Sequence, residues 1–401
     1  MNRQWDVAVI GAGGSQAQAM LAGAARAQSL DRWIAVDRAW TDKTAAVVDS
    51  LGMARHTLDL FDEPERLAAL FAETRVVANL AGPYYRTGEV VLDAAIRAGA
   101  NYLDICDDAD AVLKLLTYDD AAQAAGVTAL IGMGSSPGTT NVLIRAAVDE
   151  LGSAENVDIY WTVDVSDSTP AAARHFWHCF NLVDADGAAH PVPTWDEIER
   201  VTVDFPEPVG PRELVRLAHP EPVTVPRYLP VDKSNNFGAV TPVDALQVCW
   251  AMAYATDPLR DRSGHDVADI TDKAVDVFAA YRDSRPGSPR VGSGMVIDVH
   301  TAGTGLRFSS GAETEMAEAT GVPAAAGLML MLAGQVPGPG VLPPELLRPA
   351  DFFASLQRVS RGGGGLQVHR LVDGKPTERM RIRDLFAATR ADRRDVVDAR
   401  A

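Results

Sequence analysis

Cysteine is scarce in this chain of 401 residues. The three cysteines are odd in number and far apart, at positions Cys106, Cys179 and Cys249. A disulfide framework needs an even set of cysteines, and a zinc site needs ligands paired at short spacing. The sequence therefore predicts neither disulfides nor a metal site.

The chain also lacks an excess of positive charge. It has 37 lysines and arginines against 54 acidic residues, which gives a formal net charge of −17 at pH 7. Because nucleic-acid binding needs a basic surface, we expect no nucleic-acid partner. The acidic excess either serves solubility alone or favours a cationic substrate such as a polyamine.

Long apolar runs are missing as well. None approaches the ~20 residues that span a bilayer, and the start, MNRQWD, lacks the basic and apolar regions of a secretion signal. We therefore expect a cytoplasmic protein without membrane contact. Hydrophobic residues still make up 47% of the chain, and its length predicts two domains with a substantial core.

A glycine-rich turn stands out near the start, in the run AVIGAGGSQAQAM at 8–20. An apolar strand, such a turn and a helix of small residues form a site for a dinucleotide, whose pyrophosphate meets the helix N-terminus. The alternative is a purely structural turn, since Gln16 stands where the fingerprint has Gly or Ala. The predicted cofactor contacts in this turn are Gly11, Gly13, Gly14, Ser15 and Gln16.

An acid and a base follow the next apolar run, WIAV at 33–36. Asp37 lies where a carboxylate binds the ribose hydroxyls and disfavours the 2′-phosphate of NADP. Arg38 is the next residue and can instead pair with that phosphate. The sequence leaves NAD or NADP as the cofactor.

Short apolar runs alternate with alanine-rich helical segments through the first 134 residues. Six such runs begin near residues 7, 33, 54, 76, 101 and 127, and Gly99 and Gly126 stand where helices end. This alternation predicts an α/β fold with a doubly wound parallel sheet of the Rossmann type over 1–134.

The rest of the chain has a different character. Alternation at 157–165, dense proline between 190 and 230, and two extended runs at 295–303 and 305–314 predict an α+β substrate domain over 135–330. Residues 331–401 are expected to return to the first domain and to end in a hairpin turned at Asp373 and Gly374.

Three polar segments follow the ends of predicted strands, where ligands sit in doubly wound sheets. After the fourth strand, Ala81, Gly82 and Pro83 are predicted to contact the cofactor. Tyr84 is a candidate catalytic residue beside the nicotinamide, with a plain tight turn as the alternative. Tyr85 either binds substrate or is a core aromatic residue.

The fifth and sixth strands end in further candidates. Asp104 and Cys106 are two residues apart and so share a face of a strand. They either relay a proton, or the acid caps a turn and the cysteine is a small core residue. Ser135 and Ser136 offer hydroxyls for substrate at a helix start, where one of them can instead be a cap.

Two segments together resemble the saccharopine dehydrogenase family. They read VVANLAGPYYRTGEVVLDAAIRAGANYLDICDDAD at 76–110 and LIGMGSSPGTTNVLIRAAVDELG at 130–152. That family, which includes saccharopine reductases and the carboxynorspermidine and carboxyspermidine dehydrogenases, shares the Gly-Pro-aromatic turn, the Tyr-x-Asp strand and the later Pro-Gly and Asn. The stretch 323–353 resembles its C-terminal return, whereas the proline-rich middle resembles it only weakly.

The resemblance implies an NAD(P)-linked oxidoreductase that works at a C–N bond. It would reduce an imine formed from an amine and a carbonyl compound, or oxidise the corresponding secondary amine. Two alternatives stay open: a reductase of a C=C or C=O bond on the same fold, and a dinucleotide-binding sensor without turnover. We also expect a homodimer.

Such chemistry needs a proton donor and a cation that binds substrate carboxylates. Arg174 and His178 are four residues apart, on one face if their segment is helical, and are the candidates for carboxylate binding and catalysis. The alternative is an amphipathic helix with incidental histidines. Arg227 is a further candidate for carboxylate binding or, alternatively, a solvated loop residue.

Overall fold

The chain forms two β-sheets with a cleft between them. In this computed structural model, the described residues are 3–164, 170–184, 186–241, 243–257, 292–313, 316–362 and 365–386, with residues 259, 273–277, 280 and 284. Position 165 of the strand predicted at 157–165 and position 314 of the run 305–314 lie outside them. Within the described residues, no helix is long and apolar enough to cross a membrane.

The first sheet is parallel throughout and has seven strands in the order β3-β2-β1-β4-β5-β6-β13. The predicted doubly wound fold is therefore confirmed. Its strands are β1 (Trp5–Ile10), β2 (Trp33–Asp37), β3 (Ala54–Thr57), β4 (Thr74–Asn79), β5 (Asn101–Asp104), β6 (Thr128–Leu130) and β13 (Gly340–Leu342).

Helices cover both faces of this sheet, so its central strands are buried as continuous apolar runs. The helices along this part of the chain are α1 (Ser15–Ala27), α2 (Asp42–Ser50), α3 (Pro64–Ala72), α4 (Tyr84–Arg97), α5 (Ala109–Leu116), α6 (Asp119–Ala125) and α7 (Thr139–Leu151). As predicted, Gly126 ends α6 with a φ of 67°.

The second sheet has eight strands in the order β15-β14-β12-β11-β7-β10-β9-β8. All neighbours are antiparallel except β7 and β10. The strands are β7 (Ala154–Asp164), β8 (Arg200–Phe205), β9 (Gly210–Arg216), β10 (Val231–Thr241), β11 (Ser293–Thr301), β12 (Thr304–Ala312), β14 (Gln367–Val372) and β15 (Lys375–Met380).

The second sheet carries its own helices, and the chain then returns to the first sheet. Its helices and those of the return include α8 (Pro170–His178), α9 (Glu221–Tyr228), α10 (Val243–Thr256), α11 (Met316–Leu332), α12 (Pro349–Val359) and α13 (Ile382–Phe386). The final hairpin turns at Asp373 and Gly374, which both have positive φ. It extends the second sheet, and the domain limits at 134 and 330 stay predictions.

The return brings α11 directly against α1. A Cβ on Gly321 of α11 would lie 2.4 Å from the carbonyl oxygen of Gln16 and 2.7 Å from the amide nitrogen of Met20. The first turn of α1, which carries the glycine-rich motif, is therefore supported by a backbone contact from a residue about 300 positions later.

We expect Gly321→Ala to lower the free energy of unfolding by about 1–3 kcal/mol, because the new methyl group has no room between the two helices. The matched control is Gly88→Ala in α4, where a Cβ would meet only the Leu115 side chain at 3.5 Å. Gly88→Ala should raise the free energy of unfolding by about 0.5–1 kcal/mol, because alanine favours a helix more than glycine does. Urea denaturation of both variants measures the difference, and equal effects would contradict the tight helix contact.

Candidate active site

A cavity of about 430 Å³ lies between the two sheets. The first turn of α1 lines one part of it, through Gly14, Ser15 and Gln16. The second sheet contributes Trp161 and Thr162 of β7, and α8 contributes His175. The cleft therefore joins the glycine-rich turn to the part of the chain that was predicted to bind substrate.

The glycine-rich turn has the backbone that a dinucleotide site requires. Gly11 has a φ of 74°, and a Cβ there would lie 2.8 Å from the Ala81 backbone. Gly14 is the N-cap of α1 and provides no capping side chain. The helix N–H groups are thus available to an anion, and the site fits a pyrophosphate.

Asp37 is tied to this turn. Its carboxylate accepts a hydrogen bond from the Gly13 N–H, with a nitrogen–oxygen distance of 2.8 Å. Arg38 is exposed beside it. The acid is thereby fixed next to the motif, and its contact with the ribose stays a prediction.

Replacing Asp37 by serine should shift cofactor preference toward NADPH. The change removes the carboxylate that would repel a 2′-phosphate, while Arg38 remains to attract one. Dissociation constants for NADH and NADPH, measured with both proteins, give the ratio. An unchanged ratio would show that Asp37 does not face the ribose.

The turn after β4 forms the next part of the wall. Gly82, Pro83 and Tyr84 line the cavity, and Pro83 is the N-cap of α4. The Tyr84 side chain is only 7% exposed. Burial, followed by the nearby Asp104 charge, raises the pKa of its hydroxyl well above 10, so Tyr84 stays protonated and can donate a hydrogen bond.

A histidine held by two acids faces the cleft from α8. His175 Nε2 lies 2.9 Å from Asp107 Oδ2, and His175 Nδ1 lies 2.9 Å from Asp108 Oδ1. Asp107 lines the cavity, whereas the Asp108 side chain is fully buried. The Cys179 sulfur is 3.2 Å from the same Nε2.

The charges around this cluster favour a protonated His175 and an ionised Asp108. Burial lowers the pKa of His175, but the charges of Asp107 and Cys179 outweigh burial and raise it well above 6.5. Burial raises the pKa of Asp108, but its hydrogen bond to His175 lowers it overall. The ligand atoms of Asp107, Asp108 and His175 also have metal-ligand spacing, within 4.8 Å of one another, which the sequence motifs did not indicate. The ion pairs account for the arrangement without a cation.

A second histidine, His219, lines the cavity and is 4% exposed. Its ring lies 5.2 Å from that of Trp161, and its Nδ1 lies 3.5 Å from Glu221 Oε2. Glu221 is fully buried and accepts hydrogen bonds from the hydroxyls of Ser136 and Thr140. Ser135 and Ser136 both line the cavity, and their contact with substrate stays a prediction.

Asp104 and Cys106 lie behind the cavity wall, so the predicted acid–thiol relay is corrected. Both are fully buried, and neither lines the cavity. Asp104 accepts hydrogen bonds from the amides of Cys106 and Gly132 and from the Tyr102 hydroxyl. It joins the ends of neighbouring strands, and burial raises its pKa to about 6.

The arginine and histidine chosen from helical spacing are also placed outside the cavity lining. His178 Nε2 is 3.0 Å from Asp110 Oδ1, and its ring stacks on Tyr85 at 4.3 Å. Arg174 lies near Tyr85, and its charge opposes the rise in the Tyr85 pKa that burial causes. Arg227 is exposed over the Tyr228 ring. Because α8 turns its other face to the cleft, His175 occupies the place expected for His178.

The sequence did contain a signal for the missed residues. Asp107 and Asp108 lie in the polar segment DICDDAD (104–110), directly after the candidates Asp104 and Cys106 at the end of the fifth strand. His219 and Glu221 lie in the proline-rich middle, where no periodic pattern placed them. They lie near Ser136 because the fold brings together segments that are more than 80 residues apart in the sequence.

Behind Glu221 lies another buried acid, Glu345. Its Oε2 accepts a hydrogen bond of 2.9 Å from Asn141, whereas its Oε1 has no hydrogen-bond partner. Burial raises the pKa of Glu345 to about 7. Between its ordinary pKa and pH 7, the unfolded chain loses this proton and the folded chain keeps it, so rising pH destabilises the fold.

We expect Glu345→Gln to remove this pH dependence. As pH rises from 4.5 to 8, the unaltered protein should lose about 3 kcal/mol of stability relative to the variant, from the size of the pKa change. Urea denaturation of both proteins across that range tests this. A constant difference between them would contradict a neutral buried Glu345.

Comparisons with known proteins agree with this geometry. Residues 7–130 match the family model of the saccharopine dehydrogenase NADP-binding domain. The carboxyaminopropylagmatine dehydrogenase of Synechocystis sp. is 26% identical over 366 residues, which cover 83% of this chain and 89% of that protein.

Two solved structures share the fold over nearly the whole chain. The saccharopine dehydrogenase (L-Glu forming) of Saccharomyces cerevisiae matches with a TM-score of 0.61 at 15% identity, covering 92% of this chain and 100% of that one. The homospermidine synthase of Legionella pneumophila, solved with NAD, matches with a TM-score of 0.58 at 10% identity, covering 93% and 92%.

The parallel sheet, the glycine-rich turn and these matches define an NAD(P)-dependent oxidoreductase. The chain is similar to the saccharopine dehydrogenase family, whose NADP-binding domain its residues 7–130 match, and its cofactor is NAD(P). The resemblance that the sequence segments show to this family is confirmed.

Proposed function

We propose that this enzyme acts at a C–N bond. It reduces the imine formed from an amine and a carbonyl compound, or oxidises the corresponding secondary amine. The names of two similar proteins refer to amine compounds, carboxyaminopropylagmatine and homospermidine. The proposal transfers that class of substrate to this chain.

The observation that carries the proposal is the shared cavity. The glycine-rich turn at Gly14, the Tyr84 side chain and the Asp107–His175 pair line one continuous space. Hydride transfer at a C–N bond needs a nicotinamide face against carbon and titratable groups near nitrogen. Both requirements can be met within a cavity of about 430 Å³.

The wall holds carboxylates for an amine beside the cationic groups of His175, His219 and Arg361. Asp107 and Glu318 line the cavity and offer carboxylates to a substrate ammonium group. Ser135, Ser136 and Thr162 add hydroxyls, and Trp161, Phe176 and Met316 add apolar surface that excludes water. A partly apolar amine can pair with these carboxylates and pack on this apolar surface.

The nicotinamide, when bound, supplies or accepts the hydride. The protein's own groups do the rest. The N–H groups at the start of α1 hold the pyrophosphate, and Tyr84 is placed to donate a hydrogen bond into the cleft. Asp107 orients the substrate cation, while His175 keeps that carboxylate in place.

The test is a matrix of substrates. Diamines, guanidino-amines and amino acids are combined with α-keto acids and aldehydes, with NADH or NADPH, and products are identified by mass spectrometry. We expect cofactor oxidation that needs both an amine and a carbonyl compound, with a secondary amine as product. Turnover of carbonyl compounds or enoates without an amine, or no turnover with any pair, would overturn the proposal.

A further inference from the structure

Two imidazoles line the cavity, and their surroundings differ. Both ring nitrogens of His175 are engaged at 2.9 Å by carboxylates, one from Asp107 and one from Asp108. By contrast, neither ring nitrogen of His219 makes a hydrogen bond, although its side chain is 96% buried and its Nδ1 lies 3.5 Å from Glu221 Oε2. An unpaired buried group costs about 1–3 kcal/mol, and in a cavity wall a bound ligand can provide the missing partner.

The carboxylate beside His219 is held rigidly. Besides the Ser136 and Thr140 hydroxyls, the Asn236 amide donates to Glu221 at 3.3 Å. Burial raises the pKa of Glu221, but its contact with His219 lowers it overall. Glu221 is therefore a fixed negative charge 3.5 Å from the imidazole, in the arrangement of an acid that orients a catalytic histidine.

We propose that His219, oriented by Glu221, is the group that gives a proton to the substrate nitrogen and takes it back in the reverse direction. This inference rests on the proposed function. In the reductive direction the imine carbon receives the hydride, and the C=N electron pair moves to nitrogen. That nitrogen takes the proton released by the imidazolium, which becomes neutral imidazole.

The acidity of His219 suits this task. Burial lowers its pKa, but interactions with Cys179 and then Glu221 raise it to about 10. An aliphatic ammonium has a pKa of ~10, so the proton passes between the two nitrogens with little free-energy change. The titratable groups around His219 are Cys179, which also contacts His175, and Glu221, which neighbours Glu345.

The first test is His219→Gln. We expect kcat to fall by ~10²–10⁴-fold, the usual loss for a general acid, with the dissociation constant for NAD(P)H unchanged. Circular dichroism checks folding, and added imidazole should partly restore turnover to His219→Ala. The matched control is His190→Gln, a histidine whose side chain is 50% exposed and does not line the cavity; it should leave kcat unchanged.

The second test follows the role of Glu221 without relying on turnover. Removing its charge by Glu221→Gln should lower the pKa of His219, read from ¹⁵N imidazole NMR titration of the folded protein. The loss of turnover at high pH should move to lower pH in the same variant. Ser136→Ala keeps the Glu221 charge. It should therefore lower the His219 pKa, and the pH at which turnover is lost, by a smaller amount.

The outcomes separate the two proposals. Failure of the unaltered enzyme to turn over any amine–carbonyl pair overturns the proposed function. If the unaltered enzyme works and His219→Gln keeps kcat within a few fold, the assignment of His219 is wrong while the function stands. If Glu221→Gln leaves the pKa of His219 unchanged, the assignment is also wrong.

Discussion

Replacing His175 by alanine should lower the free energy of unfolding by about 3–5 kcal/mol. Asp108 has a fully buried side chain, and His175 is the cationic group that contacts it, 2.9 Å away. Without the imidazolium, a buried carboxylate loses its counter-charge and either stays ionised at high cost or takes up a proton. Urea denaturation monitored by circular dichroism measures the loss.

The control lies on the same helix. His178 pairs with Asp110, whose side chain is 45% exposed, so solvent screens the pair and His178→Ala should cost about 1 kcal/mol or less. If both alanine variants lower the free energy of unfolding equally, burial of the His175–Asp108 pair does not add to stability as we expect.

The effect of His175 should depend on pH with a defined sign. The raised pKa of His175 gives stability that is complete below ~6.5 and is lost as pH rises through the folded value. The lowered pKa of Asp108 gives stability that is complete above ~4 and is lost as pH falls through its folded value. The difference between the two proteins should therefore be largest between about pH 4 and 6.5.

Gly13→Leu should weaken NAD(P)H binding by at least ~100-fold, or about 2.7 kcal/mol. A Cβ at Gly13 would lie 3.0 Å from Asp37 Oδ2, and the larger side chain would fill the approach to the first turn of α1. The contact between Asp37 and the turn would be disturbed at the same time.

Titration calorimetry with NADH and NADPH gives the affinities. The control is Ala25→Leu, which adds the same side chain to an exposed position of α1 and should bind normally. Unchanged affinity in folded Gly13→Leu would show that the cofactor does not use this turn.

The fold was largely predictable because its elements carry local signals. Five of the first six strands of the parallel sheet lie in mainly apolar runs bounded by turns, whereas β3 is the polar, largely exposed run ARHT. Asp373–Gly374 marks a hairpin by its dipeptide alone. The seventh strand, Gly340–Leu342, was missed because three residues between glycines and prolines show no periodicity. It exists because the β6 edge offers partners for its backbone groups.

The site was less predictable because its side chains meet across distant segments. Spacing of four residues grouped Arg174 with His178, but periodicity cannot tell which face of α8 meets the cleft. Asp107 and Asp108, from the end of β5, select the face that carries His175. Likewise, spacing of two residues grouped Asp104 with Cys106, but β5 ends at Asp104, and the hydrogen bond from the Gly132 N–H holds its carboxylate in the core.

The late seventh strand has a consequence for the synthesis of the protein. Leu130 of β6 and Gly340 of β13 are 210 positions apart in the chain. At roughly 5–20 residues per second on the ribosome, the β6 edge waits about 10–40 seconds for its neighbour. During that interval it presents unpaired N–H and C=O groups to other nascent chains. Slow or crowded expression should therefore favour aggregation that starts at this edge.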